Sequence, residues 1–240
     1  MNWLEGKVVE NRHWTDTLFS LRVDAPRLQF QAGQFVRIAL DGVARAFSFV
    51  NPPEDPVLEF YGVIVPEGPL SPRLARLRAG DTLQVASNPA GFLVLSEVPD
   101  AQTLWLLSTG TGLAPFLSIL RTETPWRRFR EVVLVHAVRQ ARELVYRDMI
   151  GKLQKEKGLR YVSFVSREAA PGSLVGRIPA AVGDGRLEAA AALRLAPETS
   201  QVLLCGNPDM LKDTMAALAA RGMRKHRRRA PGQITTESFW

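Results

Sequence analysis

Residues 103–121, TLWLLSTGTGLAPFLSILR, decide the fold of the second half of this 240-residue chain. A nearly continuous apolar run ends at Ser108, two glycines follow at 110 and 112, and a stretch predicted to be helical begins at Leu113. Such an apolar run is typical of a strand buried on both faces of a sheet. The stretch therefore predicts a strand, a glycine-rich turn and a helix, which is the repeating unit of a doubly wound α/β sheet.

The same alternation of strand and helix continues along the chain. Further buried strands are predicted at EVVLVHAV, RYVSFVS and QVLLCG. Helices are predicted over 141–158 and over 208–222, the second with Gly222 as its C-cap. Residues 98–240 are therefore predicted to form an α/β domain around a parallel, doubly wound sheet.

Residues 1–97 follow a different pattern. Six short runs of alternating, β-branched or aromatic residues are separated by Gly, Pro, Asp and Asn, which is typical of a sandwich or barrel. The runs are GKVVENRHW, TLFSLRVDAP, GQFVRIAL, RAFSFVN, LEFYGVIV and DTLQVAS. One helix is predicted within LSPRLARLRAG, with Ser71 as N-cap, Pro72 in its first turn and Gly80 after its end.

Composition limits the class of protein. With 46% hydrophobic and 23% charged residues, the chain is typical of a globular protein. No segment resembles a signal peptide, and no apolar run approaches the roughly 20 residues that span a bilayer. Cys205 is the only cysteine, which excludes an internal disulfide and a cysteine-ligated iron–sulfur cluster. We expect a cytoplasmic protein.

The positive charge is concentrated in the second half. Up to Glu97 there are 9 basic and 11 acidic residues, whereas the remainder has 22 basic and 13 acidic ones. This imbalance suggests an anionic ligand or partner, such as a phosphate, an acidic protein or nucleic acid. An ordinary solvated basic surface is the alternative.

Arginines follow two of the predicted strands of the second half, and a third arginine lies beyond the second of these strands. Arg139 lies where an NAD site usually has Asp or Glu, Arg167 follows Ser166 after the next strand, and Arg177 lies beyond it. A guanidinium matches a phosphate in charge and geometry, so the pattern favours NADP over NAD. The alternative is that each is an exposed loop arginine. The turn Gly110-x-Gly112-x-x-Pro115 is weak evidence by itself, although it lies where open α/β sheets bind ligands.

The run RAFSFVN (45–51) places Arg45, Phe47 and Phe49 on one face of a strand, with Ala46 and Ser48 on the other. An anionic aromatic ligand would use both an arginine and a ring. The alternative is an edge strand whose arginine extends to solvent.

Together, RAFS (45–48), GPLS (68–71), GTGLAP (110–115), CGNPDM (205–210) and a terminal aromatic residue resemble the ferredoxin/flavodoxin–NADP(+) reductases, most closely their bacterial branch. The resemblance implies a six-stranded antiparallel β-barrel that binds FAD over 1–97 and an α/β domain that binds NADP(H) over 98–240. It also implies hydride exchange between NADPH and FAD, and release of single electrons to an acidic ferredoxin or flavodoxin.

The resemblance also assigns site residues. Arg45 would contact the FAD pyrophosphate, Phe47 would pack on the flavin where the family has tyrosine, and Ser48 would bond near the flavin N5. The other implied FAD contacts are Ala46, Tyr61, Gly62, Val63, Ile64, Pro69, Leu70, Ser71, Thr111, Phe239 and Trp240. The implied NADP contacts are Arg139, Ser166, Arg167, Arg177, Asn207, Pro208, Asp209 and Asp213.

Four positions are implied to be catalytic: Ser48, Cys205, Glu237 and Trp240. Cys205 would border the nicotinamide. Without the resemblance, a lone cysteine at a buried strand end is better interpreted as a small hydrophobic core residue. Glu237 would orient the nicotinamide ring and connect the flavin to solvent protons. Trp240 would stack on the flavin opposite Phe47, on a tail that returns to the flavin, and would gate access of the nicotinamide.

The expected partner is an acidic electron carrier, docked on the basic run 224–229, unless that run is an ordinary solvated loop. We expect a monomer that binds neither nucleic acid nor membrane. Two alternatives remain: a flavin reductase with another acceptor (a ferric chelate, a quinone or an oxygenase), and a basic nucleic-acid-binding protein that carries no flavin.

Overall fold

A computed structural model describes residues 2–238, which divide into two compact units. The first unit contains the residues up to Val94 together with Ala114–Thr122, and the second contains Leu95–Leu113 and the residues from Glu123 onwards. The prediction that the domains are 1–97 and 98–240 stays a prediction.

Six strands and one short helix form most of the first unit. They are β1 (Trp3–His13), β2 (Leu18–Asp24), β3 (Phe35–Leu40), β4 (Val43–Ser48), β5 (Val57–Val63), α1 (Ser71–Leu74) and β6 (Thr82–Ala86). The strands pair antiparallel in the order β4-β3-β6-β1-β2-β5, which leaves β4 and β5 at the two edges. A bridge between Phe49 and Phe60 joins these edges, so the sheet closes nearly into a barrel. The predicted six-stranded antiparallel barrel is confirmed.

Helix α1 differs from its prediction. Leu70, not Ser71, holds the N-cap position, because the Ser71 hydroxyl accepts a hydrogen bond from the Val65 amide at 2.9 Å instead. Pro72 does lie in the first turn. The helix ends at Leu74, whose carbonyl accepts from the Asn11 side chain, while the Arg78 amide donates to Asp81. The local pattern would have allowed a longer helix, and contacts from β1 and from the following turn shorten it.

The segment Ala114–Thr122, which contains all but the first residue of helix α2 (Leu113–Leu120), belongs to the barrel unit by its contacts. The Ser118 hydroxyl donates to the Asn51 carbonyl at 2.7 Å, and the Arg121 guanidinium reaches Asp55 at 3.1 Å and Glu59 at 3.3 Å. These partners lie in the loop that joins β4 to β5 and at the start of β5. The segment is therefore bound to the connection between the two edge strands, β4 and β5.

The second unit contains a sheet with helices. Apart from Leu113, the first residue of α2, its elements are β7 (Thr103–Thr109), α3 (Thr124–Arg128), β8 (Glu131–Val138), α4 (Arg147–Lys157), β9 (Arg160–Val165), β10 (Ser173–Val175), α5 (Ile178–Asp184), α6 (Arg186–Ala191), β11 (Ser200–Gly206), α7 (Pro208–Ala219) and β12 (Ile234–Ser238). All neighbouring strands are parallel, in the order β10-β9-β8-β7-β11-β12. The doubly wound sheet and its four predicted strands are confirmed.

Two edge strands were not predicted. Strand β10 has three residues, and β12 has the polar sequence ITTES. Neither resembles the continuous apolar runs of the central strands, because an edge strand pairs on one side and is covered less completely. The chain after residue 233 therefore pairs with β11 before it reaches the last two residues.

Two predicted helices begin or end elsewhere. The helix predicted from 141 is a 3-10 turn at Ala141–Glu143 followed by α4 from Arg147, because Tyr146 has a φ of 58° and interrupts the helix. Helix α7 ends at Ala219, and Gly222, with a φ of 84°, lies in the turn that follows it. Within residues 2–238, no helix is long and apolar enough to cross a membrane.

Candidate functional site

In the barrel unit, the predicted flavin residues lie on the two edge strands that meet at the Phe49–Phe60 bridge. Arg45–Ser48 form the end of β4, and Tyr61–Val63 form the end of β5. The Phe47 and Phe60 rings are 6.5 Å apart in an edge-to-face arrangement. A Cβ at Gly62 would lie 2.8 Å from the Phe19 ring and 3.3 Å from the Phe47 ring. Gly62 therefore leaves the space that both aromatic rings occupy.

Arg45, Phe47 and Phe49, which the alternation predicts on one face of a strand, have three different environments in β4 and the residue after it. Phe49 is fully buried and stacks on Phe30 with centroids 3.9 Å apart, so it is a core residue. Phe47 is half-buried, and Arg45 is exposed. The Arg45 guanidinium donates to the Ala44 carbonyl at 2.8 Å and forms no ion pair with any residue between 2 and 238. Arg45 is thus available to an anion.

Ser48 lies on the other face and is only 3% exposed. Its hydroxyl has no hydrogen-bond partner among the described residues. A buried hydroxyl normally has a partner, so an unpaired one marks a position that a ligand atom can fill. An unpaired hydroxyl, a half-buried ring and an available guanidinium within one strand fit a ligand with a heteroaromatic ring and a phosphate, as FAD has.

The turn Pro69–Ser71 is attached to the residues that follow β5. The Ser71 hydroxyl accepts from the Val65 amide, and the Gly68 amide donates to the Val65 carbonyl at 2.8 Å. Leu70 is buried, whereas Ser71 is partly exposed. The turn and the strand that carries Tyr61–Val63 are therefore held together.

In the second unit, the glycine-rich turn lies between the carboxyl ends of β7 and β11, where the strand order reverses. Gly110 has a φ of 52°, and a Cβ there would meet nothing within 4 Å. A Cβ at Gly112 would clash with the Cys205 carbonyl, and one at Gly206 would clash with the Thr109 hydroxyl. The Thr109 hydroxyl also accepts from the Asn207 amide at 2.9 Å. Gly112 and Gly206 are thus required for close packing, while Gly110 leaves its surroundings open; Thr111 between them is buried.

His136, which the sequence reasoning missed, lies beneath this turn. It is fully buried in β8, and its Nε2 lies 3.3 Å from the Gly110 carbonyl oxygen. Burial lowers the pKa of His136 to about 4, so the ring is neutral and Nε2–H donates to that carbonyl. Nothing in the sequence distinguishes a histidine in a buried strand from an ordinary core residue.

The predicted phosphate-binding arginines lie in the loops after β8 and β9. The Arg167 amide donates to the Arg139 carbonyl at 2.9 Å, and the Ser166 amide donates to the Val138 carbonyl at 3.1 Å. Both arginines and Ser166 are exposed. The two loops are therefore adjacent, and their basic side chains extend from neighbouring backbone segments. Arg177, also exposed, holds the N-cap position of α5.

Cys205 and Glu237 occupy paired positions of β11 and β12, as Cys205 and Ser108 do across β11 and β7. Burial and the nearby Glu237 raise the pKa of the Cys205 thiol well above its usual value. Burial raises the pKa of Glu237 to about 7, and its Oε1 has no partner among the described residues. The thiol is therefore protonated, whereas the carboxyl group exchanges its proton near neutral pH.

The residues after β11 start α7. The Asn207 side chain accepts from the Asp209 and Met210 amides at 2.9 and 3.1 Å, so Asn207 is the N-cap of α7. Pro208 and Asp209 lie in the first turn, and Asp213 is exposed on the same helix. Phe239 and Trp240, and with them the predicted gate, lie outside the described residues. No group of three or more potential metal-ligating His, Cys, Asp or Glu side chains occurs between residues 2 and 238.

Comparison with known proteins shows similarity along the whole chain. A family model described as "Oxidoreductase NAD-binding domain" matches residues 106–216. The flavodoxin/ferredoxin–NADP reductases of Shigella flexneri and Escherichia coli are 53% and 52% identical, and each alignment covers 100% of this chain and 99% of that protein. A crystal structure of a ferredoxin NADP+ reductase from Neisseria gonorrhoeae with bound FAD and NADP superimposes with a TM-score of 0.95 at 36% identity, covering 99% of both chains.

Proposed function

The chain belongs to the flavodoxin/ferredoxin–NADP reductase family, and we propose that it passes electrons between NADP(H) and ferredoxin or flavodoxin through bound FAD. The observation that carries this proposal is identity of about half the residues over the full length of reductases with that name. The structure is consistent with both nucleotides. The barrel has an unpaired buried hydroxyl that suits FAD, and the parallel sheet has a glycine-rich turn that suits NADP(H).

In the barrel unit, we propose that Arg45 binds the FAD pyrophosphate and that the Phe47 ring packs on the flavin. Bound FAD supplies the redox chemistry, since it exchanges a hydride with a nicotinamide and single electrons with a carrier. The Ser48 hydroxyl, which needs a partner, bonds near the flavin N5. The further proposed contacts are Ala46 on β4, Thr111 of the glycine-rich turn, and, from the end of β5 and the segment after it, Tyr61, Gly62, Val63, Ile64, Pro69, Leu70 and Ser71.

In the second unit, Arg139, Ser166, Arg167 and Arg177 bind the 2′-phosphate and ribose of NADP(H). A guanidinium presents paired donors to phosphate oxygens, and all three arginines are exposed. Asn207, Pro208, Asp209 and Asp213 contribute further contacts at the start of α7. NADH lacks the 2′-phosphate, so we expect a preference for NADPH.

Cys205 and Glu237 adjoin the nicotinamide in this proposal. The Cys205 thiol is protonated and small, so it borders the nicotinamide without crowding it. It is not needed as a nucleophile, because the flavin carries the redox chemistry. Glu237 orients the ring and exchanges a proton with solvent, which its pKa of about 7 allows at neutral pH.

Trp240 is proposed to stack on the flavin and to gate access of the nicotinamide. Deletion of Phe239 and Trp240 should leave FAD bound but alter the KM for NADPH and the NADPH/NADH preference. Full-length protein, purified in parallel, is the control. Identical kinetics in the deletion variant would exclude the gate.

An acidic carrier is proposed to dock on the basic segment 224–229. This segment is a turn fixed by backbone bonds, with the His226 amide donating to the Ile234 carbonyl at 2.7 Å. Lys225, Arg227, Arg228 and Arg229 are all exposed, and Arg228 also pairs with Glu97. Opposite charges would steer association, and the rate should fall as salt rises. We further propose a cytoplasmic monomer.

The experiment that tests the function combines a spectrum with acceptor turnover. Purified protein should show flavin absorption at about 380 and 450 nm. Ferredoxin and flavodoxin should be reduced with a higher kcat/KM than a ferric chelate or a quinone. Equal turnover with every acceptor would favour a general flavin reductase, and a colourless protein would contradict the proposed function.

A further inference from the structure

Two acidic side chains lie in the loops that carry the basic residues. Glu143 Oε2 accepts from the amides of Arg139 and Gln140 at 2.8 and 3.0 Å. Glu168 Oε1 accepts from the Ala141 amide at 2.6 Å. All three bonded amides belong to the loop after β8, whereas Glu168 comes from the loop after β9.

We propose that Glu143 and Glu168 are positioning residues for recognition of the 2′-phosphate of NADP(H), an inference that rests on the proposed function. They hold three successive amides, 139–141, and so fix the backbone from which the Arg139 side chain extends. Glu168 follows Arg167 directly, so its bond to Ala141 also fixes the Arg167 backbone relative to Arg139. Fixing these two backbone segments limits the positions that the two guanidinium groups can reach, so both can contact one phosphate with less loss of conformational entropy.

A carboxylate in a phosphate site needs an explanation, because it repels the ligand. Here one oxygen of each carboxylate, Glu143 Oε2 and Glu168 Oε1, accepts from backbone amides, and the positive N–H ends of these amides offset part of the negative charge. No ion pair joins Glu143 or Glu168 to Arg139 or Arg167 in residues 2–238. The guanidinium groups are therefore not neutralised by the residues that position them.

Glu143 should matter more than Glu168. It accepts two bonds and is half-buried, whereas Glu168 accepts one and is exposed to solvent. The remaining bonds between the loops join backbone atoms and survive either substitution: Arg167 to Arg139 and Ser166 to Val138. Each variant should therefore fold, with its loop less fixed.

The test uses the FAD-loaded enzyme with Glu143→Ala, Glu143→Gln, Glu168→Ala and Glu168→Gln. Glu156→Ala, at an exposed position of α4, is the control. The measurements are KM and kcat for NADPH and for NADH, and the Kd of 2′,5′-ADP by calorimetry. The Kd does not depend on turnover.

Glu143→Ala should raise the KM for NADPH and the Kd of 2′,5′-ADP about 10-fold, and Glu168→Ala should raise both about 3-fold. Each hydrogen bond to a charged acceptor that is lost leaves the loop that carries Arg139 less fixed. The KM for NADH and kcat should change less than about 2-fold. Both glutamine variants should resemble wild type, because an amide oxygen accepts the same N–H groups.

Three results would overturn the inference. Equal losses with NADPH and NADH would indicate a merely structural role. Tighter 2′,5′-ADP binding in both the alanine and the glutamine variants would mean that charge repulsion outweighs positioning. If the alanine variants bind NADPH as wild type does, and wild type prefers NADPH, the inference is wrong but the proposed function stands. If wild type does not distinguish NADPH from NADH, the proposed function is contradicted as well.

Discussion

The two units hold their candidate residues by different means. In the barrel, Arg45, Phe47 and Ser48 are side chains on one strand, and the alternation of the strand sets their directions. In the α/β unit, Cys205 and Glu237 lie on strands, but most candidates lie at or near turns after the carboxyl ends of strands, where glycines allow close backbone approach and side chains bind amides. Substitutions in the barrel site should therefore change ligand affinity, whereas substitutions in the turns should change stability or geometry.

The largest effect should come from the glycine-rich turn. Gly112→Ala places a Cβ against the Cys205 carbonyl and should lower the free energy of unfolding by about 3 kcal/mol or more. Gly110→Ala meets no atoms but strains a backbone with a φ of 52°, and should cost about 1 kcal/mol. Urea unfolding of both variants measures the difference. Equal costs would mean that the close approach at Gly112 is not what fixes this turn.

A second effect concerns the pKa of Glu237. Its folded-state pKa of about 7 exceeds the ordinary 4.5, so the folded state binds more protons between these values and stability falls as pH rises through that window. Glu237→Gln removes the ionised buried carboxylate and should raise the free energy of unfolding at pH 8 by about 2 kcal/mol, allowing for partial exposure. Most of the gain should be lost by pH 4.5 and the rest below it, where glutamate becomes protonated in both the folded and the unfolded state.

His136 titrates with the opposite sign. Its folded-state pKa of about 4 lies below the ordinary 6.5, so stability falls as pH drops from 6.5 to 4. In wild type, the effects of Glu237 and His136 on the pH dependence of stability oppose each other. In Glu237→Gln, the loss of stability that His136 causes as pH drops below 6.5 should therefore be easier to measure. Denaturant unfolding from pH 4.5 to 8 tests both, with Glu156→Gln as control. A Glu237→Gln profile parallel to wild type would contradict the raised pKa of Glu237.

A third prediction tests the barrel site. Arg45→Ala should weaken FAD binding by about 10- to 100-fold, because an arginine–phosphate contact is charge-assisted. The stability of the apoprotein should change by less than about 0.5 kcal/mol, since Arg45 is exposed. Arg22→Ala, on β2 and paired at the surface with Glu10, is the control. Flavin-fluorescence titration of both apoproteins gives the affinities, and equal values would exclude a phosphate contact.

The smallest effect is expected from Ser48→Ala. Loss of one neutral hydrogen bond to the flavin should weaken FAD binding only about 3-fold. Apoprotein stability should hold or rise slightly, because a buried hydroxyl without a partner is removed. Thermal melts of the apoprotein, with fluorescence titration, measure both. A less stable apoprotein would show that Ser48 has a protein partner after all.

Periodicity and turn chemistry made much of the fold predictable from the sequence. The six runs before residue 97 became β1–β6, and the four apolar runs became β7, β8, β9 and β11. Their signals are local: alternation reports one buried face, and a continuous apolar run reports two. These strands also made it predictable that Gly110, Arg139 and Arg167 lie at the same edge of the sheet, since the carboxyl ends of parallel strands meet there.

Other features depend on residues far apart in the chain. The helix predicted from Ser71 is short because Asn11 and Asp81 take its hydrogen-bonding groups, and the edge strands β10 and β12 exist because β9 and β11 offer them a partner. His136 beneath Gly110 and Glu168 bound to Ala141 show no pattern at their own positions.

The sequence alone determined the type of each unit, because local periodicity carries that information, and its resemblance to a family supplied most of the residues that we propose as nucleotide contacts. Only the tertiary structure decided how those residues are held. The Phe49–Phe60 bridge joins β4 to β5, and Glu143 and Glu168 fix the loop of Arg139. Those contacts arise from pairing between distant segments, which no local pattern specifies.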